Sequence, residues 1–188
     1  MFGTQKKNIM WVDVSIPFSE DGMLADAYNR ALENSTAEWV LFLDHDVFLA
    51  TNPRWYKMCL QAIKNVESDP TVACITCEAN PKRPHRHYRH NKKVVDDINK
   101  HIELAKHCYK QHGDDLIEMD RYATGYFMLL NRKVVKEIGF RQMNRTINKI
   151  DVDFGTRLRE KGYKVYKMLG LYVYHRRGMK YLLKEFTK

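Results

Sequence analysis

Residues 39–43, Trp-Val-Leu-Phe-Leu, are apolar at five consecutive positions and run straight into Asp44-His45-Asp46. A strand with one wet face alternates polar and apolar side chains, so a run that is apolar throughout describes a strand covered on both faces. Such a strand lies inside a sheet with helices on either side. The preceding sequence fits this. Ile9 to Ile16 is apolar and β-branched enough for a strand and stops at Pro17. Leu24, Ala27, Tyr28, Ala31 and Leu32 then recur at the spacing of one helix face, in a helix that starts after Asp21.

The same alternation continues downstream. Asn52-Pro53 predicts a helix start, a cap followed by proline at the first helical position, with Trp55, Cys59, Ala62, Ile63 and Val66 as its apolar stripe. Thr71 to Glu78 reads as a strand, Val94 to Gln111 as a polar helix, and Thr124 to Leu130 as a strand. Asn131 caps a short helix through Ile138 that Gly139 ends. A last helix, Asp151 to Lys161, closes at Gly162 and leads into two strand-like runs, Tyr163 to Lys167 and Leu171 to Tyr174. Strands alternating with helices predict an α/β fold, a mostly parallel sheet flanked by helices. With no internal repeat and no Gly/Ser linker, residues 1–188 are expected to form a single domain.

The longest apolar runs, Trp39 to Leu43 and Tyr126 to Leu130, are five residues each, against the ~20 that a membrane-spanning helix needs. Met1 to Asn8 is polar and basic, unlike a signal peptide, and four cysteines are too few for a disulfide scaffold. A reducing, cytoplasmic compartment is expected. The net charge of +9 is concentrated in two places. Residues 81–93 form a basic loop in which Lys82, Arg83, Arg86, Arg89, Lys92 and Lys93 meet no acid, and residues 176–188, a basic C-terminal helix or tail, hold five basic residues against Glu185. A near-neutral body with two basic patches suits an anionic partner: a nucleotide phosphate, a nucleic acid or an acidic membrane surface. The loop composition can contact phosphates and stack on bases. In the tail, Met179, Leu182, Leu183 and Phe186 could lie on a membrane surface as an amphipathic helix or pack on the protein's own core.

Asp44 and Asp46 are the strongest local signal of chemistry. In open α/β sheets ligands bind at the carboxyl ends of strands, and two carboxylates one residue apart there can both reach one hard divalent cation, Mg²⁺ or Mn²⁺, which bridges to substrate phosphates. Cys74 and Cys77 have the spacing of a zinc half-site, with His85, His87 or His90 as further ligands. An alternating strand, however, puts these two cysteines on opposite faces, and buried free thiols are the expectation.

Five segments, in order, resemble the family 2 glycosyltransferases of the GT-A (Rossmann-like) fold. They are EWVLFLDHDVFL with its strand and Asp-x-Asp, GMLADAYNRALENSTAEW upstream with the helix that carries an Asn, and ATGYFMLLNRKVVKEIGF, IDVDFGTRLREKGYKVY and VYHRRG downstream. The resemblance implies transfer of one sugar from a nucleotide-sugar donor, UDP- or GDP-linked, to an acceptor hydroxyl by a single inverting displacement. It implies that Asp44 and Asp46, with His175 as third ligand, hold a Mn²⁺ or Mg²⁺ ion that bridges the donor diphosphate. Asp151 matches the catalytic base, and Asn29, Thr124, Gly125, Asp153 and Arg176 match donor or substrate contacts. The residues alone admit plainer roles: Asp151 and Asp153 as first-turn acids favoured by the helix dipole, His175 as a packed histidine, and Gly125 as a bulge.

Departures from the family pattern are equally visible. Members usually open with a strand ending in a Pro-Thr-Tyr-Asn-like turn and a second strand whose Asp reads the base; here Asp-x-Asp arrives by residue 44. Ile9 to Pro17 is then either the first strand of a trimmed fold or the family's third strand. Ile150 stands where the family usually has Glu, and there is no Gln-x-x-Arg-Trp motif of processive synthases. The competing expectation is a non-catalytic sugar-nucleotide or nucleic-acid binding module on the same fold.

Overall fold

The computed structural model describes residues 10–80, 97–120, 124–143 and 149–176. The expected basic loop at 81–93, with Lys82, Arg83, Arg86, Arg89, Lys92, Lys93 and the three nearby histidines, lies outside the described residues, as does the basic tail beyond Arg176.

The chain begins with β1 (Val12–Ser15), α1 (Leu24–Asn34) and β2 (Trp39–Leu43). β1 and β2 pair in parallel, Val12 opposite Trp39 and Ser15 opposite Phe42. A two-residue β3 (Val47–Phe48), a 3₁₀ turn at Leu49–Thr51, α2 (Trp55–Val66) and β4 (Val72–Ala79) follow. The remainder is α3 (Ile98–His112), β5 (Leu116–Glu118), β6 (Phe127–Asn131), α4 (Arg132–Ile138), α5 (Ile150–Glu160) and β7 (Lys164–His175). The sheet order is β1-β2-β6-β4-β7-β3, with β5 also on β7. β1, β2, β4 and β7 run in one direction, and β6 lies between β2 and β4, antiparallel to both. The α/β sheet flanked by helices is thus the architecture that the alternation predicts, with the reversal of β6 added.

Two apolar layers cover the sheet. On one face Trp39, Leu41 and Leu43 of β2 pack with α2 residues Met58, Cys59, Ala62, Ile63 and Val66. On the other face Val40 and Phe42 pack with Tyr28 and Leu32 of α1, Val134 and Val135 of α4, and Ile150, Phe154 and Leu158 of α5. Cys77 belongs to the first layer and Cys74 to the second, so the two thiols cannot share an ion. All four cysteines are free. Burial pushes the Cys59 thiol up to about 12 and raises those of Cys74 and Cys77 well above the usual thiol range.

Three local differences from the sequence-based expectations have identifiable causes. The helix after Asn52-Pro53 begins at Trp55, because the Asn52 side chain accepts from the Arg54 N–H at 3.0 Å and closes a turn before the helix. Thr124 to Tyr126 is a turn, and β6 begins only at Phe127. The two strand-like runs at the end form one strand, β7, whose register against β4 jumps between Met168 and Tyr172. Gly170 lies in that jump. A Cβ placed on it would fall well inside van der Waals contact of the Gly113 carbonyl, at the end of α3. Gly170→Ala therefore forces backbone apart from backbone, which is expected to cost about 2–3 kcal/mol and to lower the melting temperature by about 5–10 °C in a thermal-unfolding comparison with the wild type.

Candidate active site

The carboxyl ends of β1, β2, β4 and β7 meet at one rim of the sheet. So does the amino end of β6, because it runs the other way. Helices that return the chain to the start of a parallel strand begin at this rim, which brings the first turns of α1 and α5 there too.

Asp44 follows β2 directly. Its N–H donates to the Tyr126 carbonyl at 3.1 Å, and its own carbonyl accepts from the Val47 N–H at 3.2 Å, so Asp44-His45-Asp46 is a closed turn. The chain then doubles into β3, which pairs antiparallel with the end of β7. Val47 lies opposite His175, and the Arg176 N–H donates to the Asp46 carbonyl at 2.9 Å. This short ladder brings together residues far apart in sequence. His175 Nε2 is 2.9 Å from Asp46 Oδ1 and 3.5 Å from Asp44 Oδ2. The three side chains offer one ligand atom each within 4.8 Å of one another. The His175 side chain is 11% exposed and Asp46 14%, against 38% for Asp44, so the cluster opens to solvent on the Asp44 side.

Two carboxylate oxygens and an imidazole nitrogen form a donor set that could hold a divalent cation. An ion held by these three groups would keep positions open for substrate oxygens. The histidine is held by a residue that no sequence motif marks. Asn80, 6% exposed at the end of β4, donates from Nδ2 to the His175 carbonyl at 3.0 Å and accepts at Oδ1 from the His175 N–H at 2.8 Å. Only the parallel pairing of β4 with β7 puts the two side by side.

Asp151 occupies the first turn of α5. Its Oδ2 accepts from the Gly125 N–H at 3.0 Å and its Oδ1 from the Val152 N–H at 2.9 Å. A Cβ on Gly125 would sit 3.4 Å from the Asp151 Cβ, in ordinary van der Waals contact, so the two residues are close neighbours. The next residue, Tyr126, is the one whose carbonyl holds Asp44. The Gly125–Tyr126 turn therefore fixes Asp151 on one side and Asp44 on the other. Ile150, where the resembling family usually has Glu, is 1% exposed and packs in the core with Phe154.

The other residues singled out by sequence fall in different settings. Asp153 pairs with Arg157 at 2.8 Å, and the guanidinium also donates to the carbonyls of Ile138 and Gly139, which ties α5 to the end of α4. Asn29 exchanges two hydrogen bonds with the Phe140 backbone, at 2.9 and 2.8 Å. Thr124 is exposed beside Gly125, and Arg176 adjoins Asp46. Tyr28, immediately before Asn29, is 5% exposed. Burial raises its phenol well above the usual range, and the charges of Asp44 and Asp151 raise it further, so it stays neutral. A depression of about 410 Å³ lies beside β1 and α1, lined by Asp13, Ser15, Phe18, Arg30 and Asn34 among others, and includes none of the acidic groups at the rim.

The Asp-x-Asp turn lies at the β2 rim with His175 of β7 beside it and Asp151 at the head of α5, and the chain is a glycosyltransferase. It belongs to glycosyl transferase family 2, whose sequence model matches residues 14–139. The match includes Asp44 and Asp46 and ends before Asp151 and His175. In a comparison with curated proteins nothing matches the chain. Among the described residues, no helix is long and apolar enough to cross a membrane.

Asn80→Ala would leave the buried N–H and carbonyl of His175 unpaired. The expected loss is about 1–3 kcal/mol, read as a fall of roughly 3–10 °C in melting temperature.

Proposed function

We propose that the protein is a metal-dependent, inverting glycosyltransferase that moves one sugar from a UDP- or GDP-linked donor to an acceptor hydroxyl. The observation that carries this reading is the convergence on one rim of Asp44, Asp46 and His175 with Asp151, held apart by the Gly125–Tyr126 turn. A divalent ion held by the first three would supply charge neutralisation for the departing diphosphate. Asp151 is oriented by two backbone N–H groups, one to each oxygen, which leaves lone pairs on both to accept a proton. In the displacement, the acceptor oxygen forms the new bond to the anomeric carbon while the bond from that carbon to the diphosphate oxygen breaks. The acceptor's proton passes to the Asp151 carboxylate, and the electron pair leaves with the nucleoside diphosphate. Attack opposite the leaving group inverts the anomeric centre.

The basic segments at 81–93 and 176–188 support an anionic acceptor, such as a lipid phosphate, a nucleic acid carrying a hydroxylated base or an acidic glycan. The four free cysteines suit action in a reducing compartment, the cytoplasm or the cytoplasmic surface of a membrane.

Thermal stabilisation by UDP-, GDP-, CDP- and dTDP-sugars, each with Mn²⁺, Mg²⁺ or chelator, tests the donor side. A metal-dependent shift with one nucleotide is expected, and Asp46→Ala abolishes it. Asp151→Asn retains that shift and lowers transfer by about 10²–10⁴-fold. Transfer by Asp151→Asn at the wild-type rate overturns the base assignment. Metal-dependent donor binding by the wild type with neither hydrolysis nor transfer to any acceptor favours a binding module instead.

A further inference from the structure

Four aromatic rings form a row in the layer beneath the rim. Tyr28 lies 5.1 Å from Phe42 and 4.6 Å from Phe140, and Phe140 lies 4.2 Å from Phe154, centroid to centroid. The row begins on β2, two residues before Asp44, and ends on α5, three residues after Asp151. In a strand, residues two apart share a face, and on a helix residues three apart are neighbours. Asp44 and Asp151 thus follow and precede the two end members of the row by a few residues on the same faces, and the charges of both reach the Tyr28 phenol.

The Tyr28 hydroxyl makes no hydrogen bond to any described residue, although the side chain is nearly fully buried. Other buried tyrosines behave differently: Tyr126 donates to the Cys77 carbonyl at 2.6 Å, and the Tyr172 hydroxyl meets His101 Nδ1 at 2.8 Å. A buried hydroxyl without a partner is costly, and its persistence points to a ligand that completes it. The ligand's chemistry follows from the surroundings. A neutral phenol that feels the charges of two carboxylates is a poor place for a phosphate and a good one for a sugar hydroxyl, which can accept from the phenol while donating to a carboxylate.

We propose that the Tyr28 hydroxyl is a donor-sugar contact, hydrogen-bonding a hydroxyl of the transferred sugar in the space between Asp44 and Asp151. The inference rests on the glycosyltransferase reading, in which that sugar must lie between the diphosphate at Asp44 and the base at Asp151. Asn29 serves the fold through Phe140; Tyr28 sets which sugar is accepted, because a site built to bond a hydroxyl discriminates against a donor that lacks it.

Tyr28→Phe removes the hydroxyl and keeps the ring. Calorimetric titration of wild type and variant, with Mn²⁺, compares the nucleotide-sugar selected by the wild type from the UDP, GDP, CDP and dTDP panel with its bare nucleoside diphosphate. The expected result is an unchanged or slightly raised melting temperature, wild-type affinity for the nucleoside diphosphate, and about tenfold weaker binding of the nucleotide-sugar. Equal affinity of both proteins for the nucleotide-sugar overturns the contact. Equal weakening for both ligands overturns it as well, by placing the hydroxyl on the diphosphate. A melting temperature lowered by more than about 5 °C overturns it by showing that the hydroxyl serves the fold. A wild type that binds no nucleotide-sugar of the panel overturns the donor reading itself and this inference with it, and that measurement precedes the variant.

Discussion

Every side chain of β2, from Trp39 to Leu43, is less than a tenth exposed, and successive residues face opposite layers. This double burial requires α2 on one face of the strand and α1, α4 and α5 on the other. It also fixes where the chain first meets water. Asp44 is the first residue after the strand that can be solvated, so the Asp-x-Asp turn lands at the rim where helices begin and ligands bind in α/β sheets. The position of the acidic turn thus follows from the apolar run before it.

The reversal of β6 does the rest of the positioning. Had β6 run parallel to β2, its amino end would lie at the opposite rim and Gly125 could not reach either carboxylate. Antiparallel, it places the Gly125–Tyr126 turn between β2 and α5, where one peptide carbonyl holds Asp44 and the adjacent N–H holds Asp151. The two-residue β3 has a similar role on the other side. It is too short to add much to the sheet, yet its pairing with the end of β7 sets Asp46 against His175. Asn80 then locks the histidine's backbone in that register.

A group of like charges at one rim is unfavourable unless something positive or a proton shares it. The Asp44, Asp46 and His175 cluster has a geometry in which a divalent ion could meet this demand. Asp151 meets it differently, with a backbone N–H on each carboxylate oxygen. The two proposed roles, charge neutralisation at the first and proton acceptance at the second, follow from this difference. Tyr28 lies beneath them on a stack of rings that leaves its hydroxyl little freedom to move.

What the sequence by itself determined is whatever depends on neighbours along the chain. The five-residue apolar run, the helical stripes from Leu24 to Leu32 and from Trp55 to Val66, and the glycine that ends α4 made the α/β alternation legible, because burial period and turn chemistry are local properties. The acidic pair was legible for the same reason, and strand alternation was enough to separate Cys74 from Cys77. Asp151 and His175 were singled out only by resemblance, since a first-turn acid and a histidine in an apolar strand carry no local mark of function. Tertiary structure alone decided that β6 runs backwards, that Thr124 to Tyr126 is a turn, that the last two apolar runs are one strand, that Asn80 bonds the His175 backbone and that the Tyr28 hydroxyl finds no partner among the described residues. Each of these depends on which distant backbone supplies a hydrogen bond or leaves one unmade, and that is settled by the packing of the whole sheet.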